Sequence, residues 1–352
     1  MRPIPDWQRE LRRAVATTGE LLELLRLDPA LLPAGIGAGR DFPLRVPRGF
    51  VARMRPGDPR DPLLLQVLPR GEELLAVPGF GPDPLQETRQ SALPGLIHKY
   101  QGRVLLIASG ACAVHCRYCF RRHFPYGDHQ PWGEGWGEAI RYLAGDPSLR
   151  EVILSGGDPL TASDARLAAL AGALAAVPHL ERLRVHSRLP VVLPERVDEG
   201  LLSWLTGTRL RPVMVIHANH PRELDDAVRA ALTRLRRAGV TVLNQAVLLA
   251  GVNDDVATLR QLSEALFATG VLPYYLHLLD PVAGAAHFTV SEKRARRLAA
   301  RLAAELPGYL VPRLAREVPG ASAKEVLAPA ATRSRSSTMR RVKPQITRPS
   351  KR

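Results

Sequence analysis

The sequence predicts an α/β protein built as a partial (β/α)6 barrel, with a mostly helical N-terminal extension and a basic C-terminal tail. Six short, β-rich apolar segments recur from residue 103 onward, and after the first interval their starts lie 31, 29, 30 and 31 residues apart. That interval accommodates one strand, one crossover helix and their loops in a parallel sheet. The stretches between the segments have apolar residues at helical spacing, which supports the alternation of strand and helix. The segments are RVLLIAS (103–109), EVILSGG (151–157), RLRVHSR (182–188), RPVMVIHAN (211–219), TVLNQAVLL (241–249) and LPYYLHLL (272–279).

The remaining parts of the chain follow in order. Residues 1–100 begin with an amphipathic stretch and continue in Pro- and Gly-rich connectors, which predicts the mostly helical extension. We place the barrel core at 101–318, a short segment at 319–330 and the tail at 331–352. Within the core, Ser163 and Ser291 are predicted helix N-caps, and Pro221 is a predicted first-turn residue.

Composition narrows the class of protein. Hydrophobic residues at 45% and charged residues at 24% are typical of a globular domain. The three cysteines are an odd number in a long chain, which argues against a secreted disulfide framework and for reduced thiols in the cytoplasm. The first residues have no apolar run of secretory length, and no stretch has the length of a membrane span, so we expect no membrane partner. An oligomer is compatible with the sequence.

The net charge of +15 is concentrated at the C-terminus. Residues 331–352 have eight Arg or Lys and no acid, which leaves +7 on the other 330 residues. One interpretation is a disordered basic tail on a moderately basic body. The other is electrostatic attraction to an acidic partner such as RNA.

Polar residues follow the predicted strands at the point where each strand ends. In parallel barrels the C-terminal ends of the strands and the loops after them form the active site. We therefore expect one site from residues after the first, second, third, fourth and sixth predicted strands. They are the three cysteines; Gly156, Gly157 and Asp158; His186 and Arg188; His217 and Asn219; and Asp280.

All three cysteines, Cys112, Cys116 and Cys119, fall in one CxxxCxxC motif after the first predicted strand. Three thiolates can hold an iron–sulfur cluster and leave one iron open to another ligand. A zinc site with His115 or His123 as the fourth ligand is the main alternative. Incidental buried cysteines would be scattered through the chain.

Longer stretches resemble one family. The chain is similar to the radical SAM lysine 2,3-aminomutase family from about residue 43 to residue 324, and most similar to the branch that makes β-lysine for modifying elongation factor P. The resemblance implies a radical SAM barrel. The stretches are HKYQGRVLL, CRYCFRRHFPY, SGGDPL, HSRLPVVLP, NQAVLLAGVND, YYLHLLD, GAAHF and GYLVPRLARE.

The resemblance implies three cofactors: a 4Fe-4S cluster, S-adenosyl-L-methionine (SAM) and pyridoxal 5'-phosphate (PLP). It assigns the cluster to the three cysteines and SAM to Tyr118 and the SGGDP turn, which in isolation is an ordinary turn. It assigns the PLP-binding lysine to Lys324, which on sequence alone would be a solvated lysine. Here the chain reads Ala-Lys-Glu-Val where the family usually has Lys-Thr-Pro. The implied cofactor-binding residues are Lys324, Lys99, Tyr100, Arg103, Tyr118, Gly156, Gly157, Asp158 and Gln245.

The resemblance also implies the substrate and the reaction. Arg121 would bind the carboxylate of L-lysine, and Asp280 with Glu317 its distal ammonium, since fixed opposite charges in a dry pocket select such a substrate. The α-amino group would move to C3, and the β-lysine, expected in the (R) form, would pass to an elongation factor P lysyl-ligase. The implied electron donor is of flavodoxin or ferredoxin type. The alternatives are a radical SAM enzyme that acts on another amino acid or without PLP, and a zinc-containing nucleic-acid-binding protein.

Overall fold

The computed structural model describes residues 5–129 and 136–330. Its centre is a ten-stranded sheet in which sheet neighbours are also sequence neighbours. Strands β3 to β9 are parallel, and β1, β2 and β10 are antiparallel to their neighbours. The strands are β1 (Ser91–Leu93), β2 (Leu96–Tyr100), β3 (Arg103–Ser109), β4 (Glu151–Gly156), β5 (Arg182–Ser187), β6 (Arg211–Ile216), β7 (Thr241–Val247), β8 (Leu272–His277), β9 (Arg313–Arg316) and β10 (Glu325–Val326).

The described residues also form twelve α-helices. Five belong to the N-terminal extension, and most of the others connect successive parallel strands. They are α1 (Asp6–Arg12), α2 (Thr18–Leu24), α3 (Leu32–Asp41), α4 (Arg48–Val51), α5 (Pro62–Leu65), α6 (Gly137–Gly145), α7 (Asp164–Ala175), α8 (Leu189–Val192), α9 (Glu199–Thr206), α10 (Asp226–Arg237), α11 (Val256–Ala268) and α12 (Glu292–Glu305).

The predicted α/β class and all six predicted strands are confirmed. The sheet extends further than predicted, because β9 adds a seventh parallel strand and β1, β2 and β10 add antiparallel edges. These four strands have only two to five residues each. Segments this short have too few residues for a recognisable alternating pattern.

Side chains of the central strands alternate between the two faces of the sheet. In β5, Leu183 and Val185 are fully buried, whereas Arg184 and His186 are partly exposed and line a cavity inside the barrel. This period of two follows from the pleat of a strand. The apolar core therefore lies between the sheet and its helices, and the polar positions face inward.

The helices cover the outside of the sheet with apolar faces. Helix α10 buries Val228, Ala231, Leu232 and Leu235, which have the spacing of a single helical face. The predicted N-caps are confirmed, because the Ser163 and Ser291 hydroxyls accept hydrogen bonds from the backbone amides three residues later.

Pro221 has a different place from the predicted one. It opens a separate 3-10 turn (Pro221–Glu223), and α10 begins only at Asp226. A reciprocal capping arrangement between His220 and Glu223 closes that turn, and Leu224 and Asp225 separate it from the helix.

The N-terminal extension packs against the barrel next to the cysteine loop. Trp7 is buried, and the guanidinium carbon of Arg196 lies 4.6 Å from the centroid of the Trp7 ring. The amide of Arg117 donates to the carbonyl of Gln66 at 2.8 Å, and the amide of His115 donates to the carbonyl of Arg45 at 3.0 Å. The extension therefore supports the loop that holds the three cysteines.

The predicted basic tail, residues 331–352, lies outside the described residues. Across residues 5–129 and 136–330, none of the helices combines the length and apolar character needed to cross a membrane. The domain boundaries at 100, 318 and 330 stay predictions.

Candidate active site

One cavity of about 450 Å³ lies inside the barrel, and its wall extends from Arg103, the first residue of β3, to residues at and beyond the C-terminal ends of the parallel strands. Its volume is within the range of small-molecule sites. All of the residues predicted to bind a cofactor, a metal or the substrate line its wall. They are Lys99, Tyr100, Arg103, Cys112, Cys116, Tyr118, Cys119, Arg121, Gly156, Gly157, Asp158, Gln245, Asp280, Glu317 and Lys324.

The three cysteines lie on the loop that leaves β3 and are unpaired thiols. Burial, together with the neighbouring thiols, raises the pKa of Cys112, and raises that of Cys119 to about 11. A bound metal would reverse this, because a coordinating thiol is deprotonated. In the described part of the chain no three His, Cys, Asp or Glu side chains converge on a single metal ion, whereas in an iron–sulfur cluster each thiolate binds a different iron.

The two histidines considered as zinc ligands point elsewhere. The His115 ring stacks on Phe42 at 5.0 Å, and its Nδ1 lies 2.7 Å from the Pro43 carbonyl oxygen. The Nε2 of His123 lies 3.2 Å from the carbonyl oxygen of Ala283. Neither residue lines the cavity. The arrangement does not favour a zinc site with a histidine as fourth ligand.

The glycines after β4 pack directly on the cysteine loop. A Cβ atom on Gly156 would lie 2.2 Å from the Ser109 carbonyl oxygen, and one on Gly157 would lie 2.5 Å from that of Ala111. The φ of Gly156 is +130°, a value that side chains disfavour. Both positions therefore require glycine for the close contact between the two loops.

Asp158 joins the ends of β4 and β5. Its carboxylate accepts hydrogen bonds from the hydroxyl of Ser187 at 2.8 Å and from the amides of Arg188 and Leu160 at 2.8 and 3.0 Å. Burial raises its pKa to about 6, although these donors oppose the shift. Asp158 therefore links the two strand ends through these hydrogen bonds and stabilises this part of the cavity wall.

Tyr118 and Arg188 form a polar network next to Cys116. The Nη1 of Arg188 lies 2.6 Å from both the Sγ of Cys116 and the Oη of Tyr118. The other end of the guanidinium contacts Gln66 at 2.7 Å and Glu223 at 3.3 Å. The Oη of Tyr118 also accepts a hydrogen bond from the Nδ2 of Asn219 at 2.7 Å. The tyrosine ring is thus held at a defined place beside the cysteine loop.

Five charged side chains of alternating sign run across the cavity. Lys324 contacts Glu317, and Lys99 lies 3.4 Å from Glu317 and 2.8 Å from Glu87. Glu87 in turn binds Arg121 at 2.6 Å. Burial would raise the pKa of Glu317, but the ammoniums of Lys324 and Lys99 lower it to about 2. Two ionised acids, Glu317 and Glu87, therefore connect the three cations in the row. The cations are the predicted PLP-binding lysine, the predicted phosphate-binding lysine and the arginine predicted to bind the substrate carboxylate.

Asp280 and Arg103 also line the cavity, but they do not belong to this row of ion pairs. Burial, reinforced by the nearby Glu317, raises the pKa of Asp280 to about 7. The guanidinium of Arg103 lies 4.6 Å from the ring centroid of Tyr100 and makes no ion pair with any described residue. It is a cation on the cavity wall without a counter-ion, which fits a phosphate-binding role.

Three imidazoles, His186, His217 and His277, line the same cavity. Burial lowers the pKa of all three, to about 4 for His217 and about 3 for His277. The buried Nε2 of His186 has no hydrogen-bond partner among the described residues. These rings are neutral at physiological pH, and they leave hydrogen-bonding capacity for a ligand.

The sequence predicts His186 and His217 at strand ends of the site, but it does not indicate Glu87 or His277. His277 ends β8, one of the predicted apolar segments, and its position two residues after Tyr275 could have indicated that it faces the cavity. Glu87 lies in a Pro- and Gly-rich connector that has no periodic pattern. No signal in the sequence could have found it.

Fold and site together define an α/β-barrel enzyme whose cavity combines a three-cysteine loop with a row of buried lysines and acids. No family model matches the chain. Curated relatives do. An L-lysine 2,3-aminomutase of Escherichia coli is 51% identical over 92% of this chain and 94% of its own length, and one of Haemophilus influenzae is 46% identical over 92% and 96%. A Clostridium subterminale L-lysine 2,3-aminomutase is 34% identical over 92% and 78%. The chain belongs to the L-lysine 2,3-aminomutase family, a family of isomerases.

A solved structure, a radical SAM methyltransferase from Sphaerobacter thermophilus, is 19% identical, with a TM-score of 0.43 over 63% of this chain and 68% of that chain. At this distance it does not bear on the chemistry.

Proposed function

We propose that this chain converts L-lysine to β-lysine by moving the α-amino group to C3. The observation that supports this most directly is that every residue assigned to cofactor or substrate lines one cavity. The curated relatives, with 51% and 46% identity, are L-lysine 2,3-aminomutases. Two acids beside the cavity, Asp280 and Glu317, suit a substrate with a distal ammonium and disfavour one with a distal carboxylate.

Three cofactors are part of the proposal. Cys112, Cys116 and Cys119 would hold a 4Fe-4S cluster, Tyr118 and the glycine turn would flank SAM, and Lys324 would hold PLP. When bound, the cluster and SAM would supply radical chemistry at C3, and PLP would supply the electron sink for the amino group. The unpaired Arg103 and the nearby Lys99 would neutralise the phosphate of PLP.

The charged residues of the chain orient the substrate. Arg121 would bind the carboxylate through the Nη2–H that its contacts with Glu87, Ser155 and Gly156 leave free. Asp280 would accept the distal ammonium, and that positive charge would favour the ionised form of its carboxyl. Glu317, ionised because of Lys324 and Lys99, adds negative charge at the same end. Fixing both ends of the substrate sets the reacting carbon at contact distance from its reactive partner.

The cavity wall also limits unwanted proton transfer. The three imidazoles beside Lys324 are neutral at physiological pH, since burial lowers their pKa values. They can donate or accept one hydrogen bond each without adding positive charge. Such a wall contains no imidazolium acid beside the reacting atoms.

The branch of the family, the next enzyme, the electron donor and the cellular compartment are also proposals. The resembling stretches taken together support the branch that makes (R)-β-lysine for elongation factor P. With that branch we also propose a lysyl-ligase as the next enzyme and a flavodoxin- or ferredoxin-type electron donor. Three unpaired thiols suit a reducing cytoplasm. Chiral chromatography of the product, followed by incubation with the ligase and elongation factor P, tests this assignment separately from the reaction.

The decisive experiment is an anaerobic assay of the iron-reconstituted protein with SAM, PLP, a strong reductant and L-lysine, in which β-lysine is detected by mass spectrometry. We expect β-lysine from the wild type and none from Cys116→Ala or Lys324→Ala. SAM cleavage without β-lysine would contradict the substrate or the PLP lysine. Zinc in the protein, with no SAM cleavage, would contradict the whole proposal.

A further inference from the structure

Glu87 is a buried carboxylate of the cavity wall that neither the motifs nor the proposed reaction uses, and only 3% of its surface is exposed. We propose that Glu87 is a positioning residue that holds Arg121, the substrate-carboxylate anchor, and Lys99, the phosphate anchor, in one fixed arrangement. This inference rests on the proposed function, since it concerns how that site binds its two anions.

The hydrogen bonds of Arg121 show how Glu87 would act. Its Nε and Nη2 donate to the two Glu87 oxygens at 2.6 and 3.0 Å, and its Nη1 donates to the Ser155 hydroxyl at 2.9 Å and the Gly156 carbonyl at 3.4 Å. A guanidinium has five N–H groups. Among the described residues these contacts leave one Nη2–H without a partner, so Glu87 determines the direction in which Arg121 can bind a carboxylate.

The same carboxylate oxygen also holds Lys99. Oε1 of Glu87 accepts from the Nζ of Lys99 at 2.8 Å and from the Nη2 of Arg121 at 3.0 Å. Lys99 also lies 3.4 Å from Glu317, which leaves one ammonium hydrogen for a phosphate oxygen. A single atom of Glu87 therefore sets the spacing between the two predicted anion anchors.

The backbone holds Glu87 in place independently of these cations. The preceding residue, Gln86, has a φ of +51°, one of two positive values among the non-glycine residues described. The amide of Glu87 donates to the Oδ1 of Asp83 at 3.0 Å. A left-handed conformation at a residue other than glycine costs free energy and persists where the surroundings determine it. The turn is thus shaped to bring the carboxylate into the cavity.

Positioning and simple electrostatics predict opposite results when Glu87 loses its charge. With a neutral side chain, two cations would face incoming anions without a counter-ion, so electrostatic attraction alone would tighten the binding of PLP and of the lysine carboxylate. If Glu87 acts by positioning, binding weakens, because the amide of glutamine would present a donor to one of the two cations.

The test compares iron-reconstituted wild type with Glu87→Gln and Glu87→Asp. The dissociation constant of PLP is measured by absorbance without lysine, and KM and kcat for L-lysine are measured with all cofactors present. We expect Glu87→Gln to raise the PLP dissociation constant and KM by about ten-fold or more each, the effect of a lost charge-assisted hydrogen bond, with a smaller loss in kcat. Glu87→Asp keeps a carboxylate and should restore part of both.

Asp61→Asn is the matched control, because Asp61 is a buried carboxylate paired with Arg222 outside the cavity. It should lower stability and leave both constants at the wild-type values.

Wild-type or tighter constants in Glu87→Gln would overturn the inference. If that variant does not fold, wild-type constants in Glu87→Asp would overturn it, and raised constants would support it. If the wild type binds PLP but does not convert lysine, the proposed substrate fails and the PLP constants still decide the role of Glu87. A wild type that binds no PLP overturns the PLP assignment and this inference together.

Discussion

The ammonium of Lys324 contacts the carboxylate of Glu317, seven residues earlier in the chain. Glu317 follows β9 and Lys324 precedes β10, and these two strands pair with each other. The antiparallel pairing brings the two side chains together at the cavity wall. An ion pair across this turn explains how Lys324, in a loop without a recognisable motif, comes to face the cavity.

Replacing Lys324 by alanine should abolish the binding of PLP through a lysine. We expect the absorbance band that PLP develops on the wild type to be missing in Lys324→Ala, together with β-lysine formation. Lys293→Ala is the control, because Lys293 is exposed on α12 outside the cavity. Retention of the band in Lys324→Ala would assign PLP to another lysine.

The cysteine loop should bind iron through its three thiols only. Cys112→Ala, Cys116→Ala and Cys119→Ala should each lose most of the iron and the visible absorbance of the reconstituted cluster. His115→Ala and His123→Ala should keep both, since their rings bind backbone carbonyls outside the cavity. Elemental analysis decides, and a histidine variant that loses metal would revive the zinc alternative.

A methyl group at Gly157 should displace the loop that holds the cysteines. Its Cβ would lie 2.5 Å from the Ala111 carbonyl oxygen, and backbone atoms there cannot move independently. We expect Gly157→Ala to lower the free energy of unfolding by about 1–3 kcal/mol, as overpacking does.

The control for this change is Gly172→Ala on α7, where nothing beyond the neighbouring residues and the backbone of the helix itself lies within 4 Å of the added Cβ. Helix propensity predicts a gain of about 0.5–1 kcal/mol there. Urea unfolding measures both variants. Equal stability of the two would show that the loops do not touch as described.

Asp280 should make stability depend on pH. Its pKa of about 7 exceeds the value of about 4 in an unfolded chain, so the folded protein binds this proton more tightly. The contribution of Asp280 to the free energy of unfolding therefore falls as pH rises from about 4 to 7, and it is constant above 7. The stability of Asp280→Asn, relative to wild type, should rise between pH 5 and pH 8.

Asp146→Asn is the control for this pH dependence. Hydrogen bonds from the hydroxyl and amide of Ser148 lower the pKa of Asp146, so its contribution is complete above about pH 4 and constant from pH 5 to 8. Urea unfolding at pH 5, 6 and 8 tests both. A constant difference for Asp280→Asn would mean that its carboxyl ionises as in the unfolded chain.

The basic tail should not take part in the reaction. Deleting residues 331–352 removes eight cations and no acid. Turnover of free lysine should stay at the wild-type rate, while retention on an immobilised RNA at low salt should decrease. A loss of turnover would make the tail part of the enzyme.

Several parts of the fold could be predicted from sequence because they depend on local patterns. The six long parallel strands have apolar runs, and the helices α7, α10 and α12 have apolar residues on one face. The cysteine loop and the glycine turn could be placed at one edge because parallel strands end on the same side. The short strands β1, β2, β9 and β10 could not be predicted, since their pairing depends on the strands already formed beside them.

The sequence by itself determined the alternation of strand and helix and the edge at which the cysteine loop and the glycine turn lie, and the resemblance to a family supplied most of the other predicted cavity residues. The tertiary structure alone decided which charges meet there. Glu87 pairs with Arg121, 34 residues later, and Lys99 meets Glu317, 218 residues later. The physical reason is that a periodic pattern depends on neighbouring residues in the chain. A buried ion pair instead depends on where folding brings distant segments together. It also depends on the removal of water, which strengthens the attraction between the two charges.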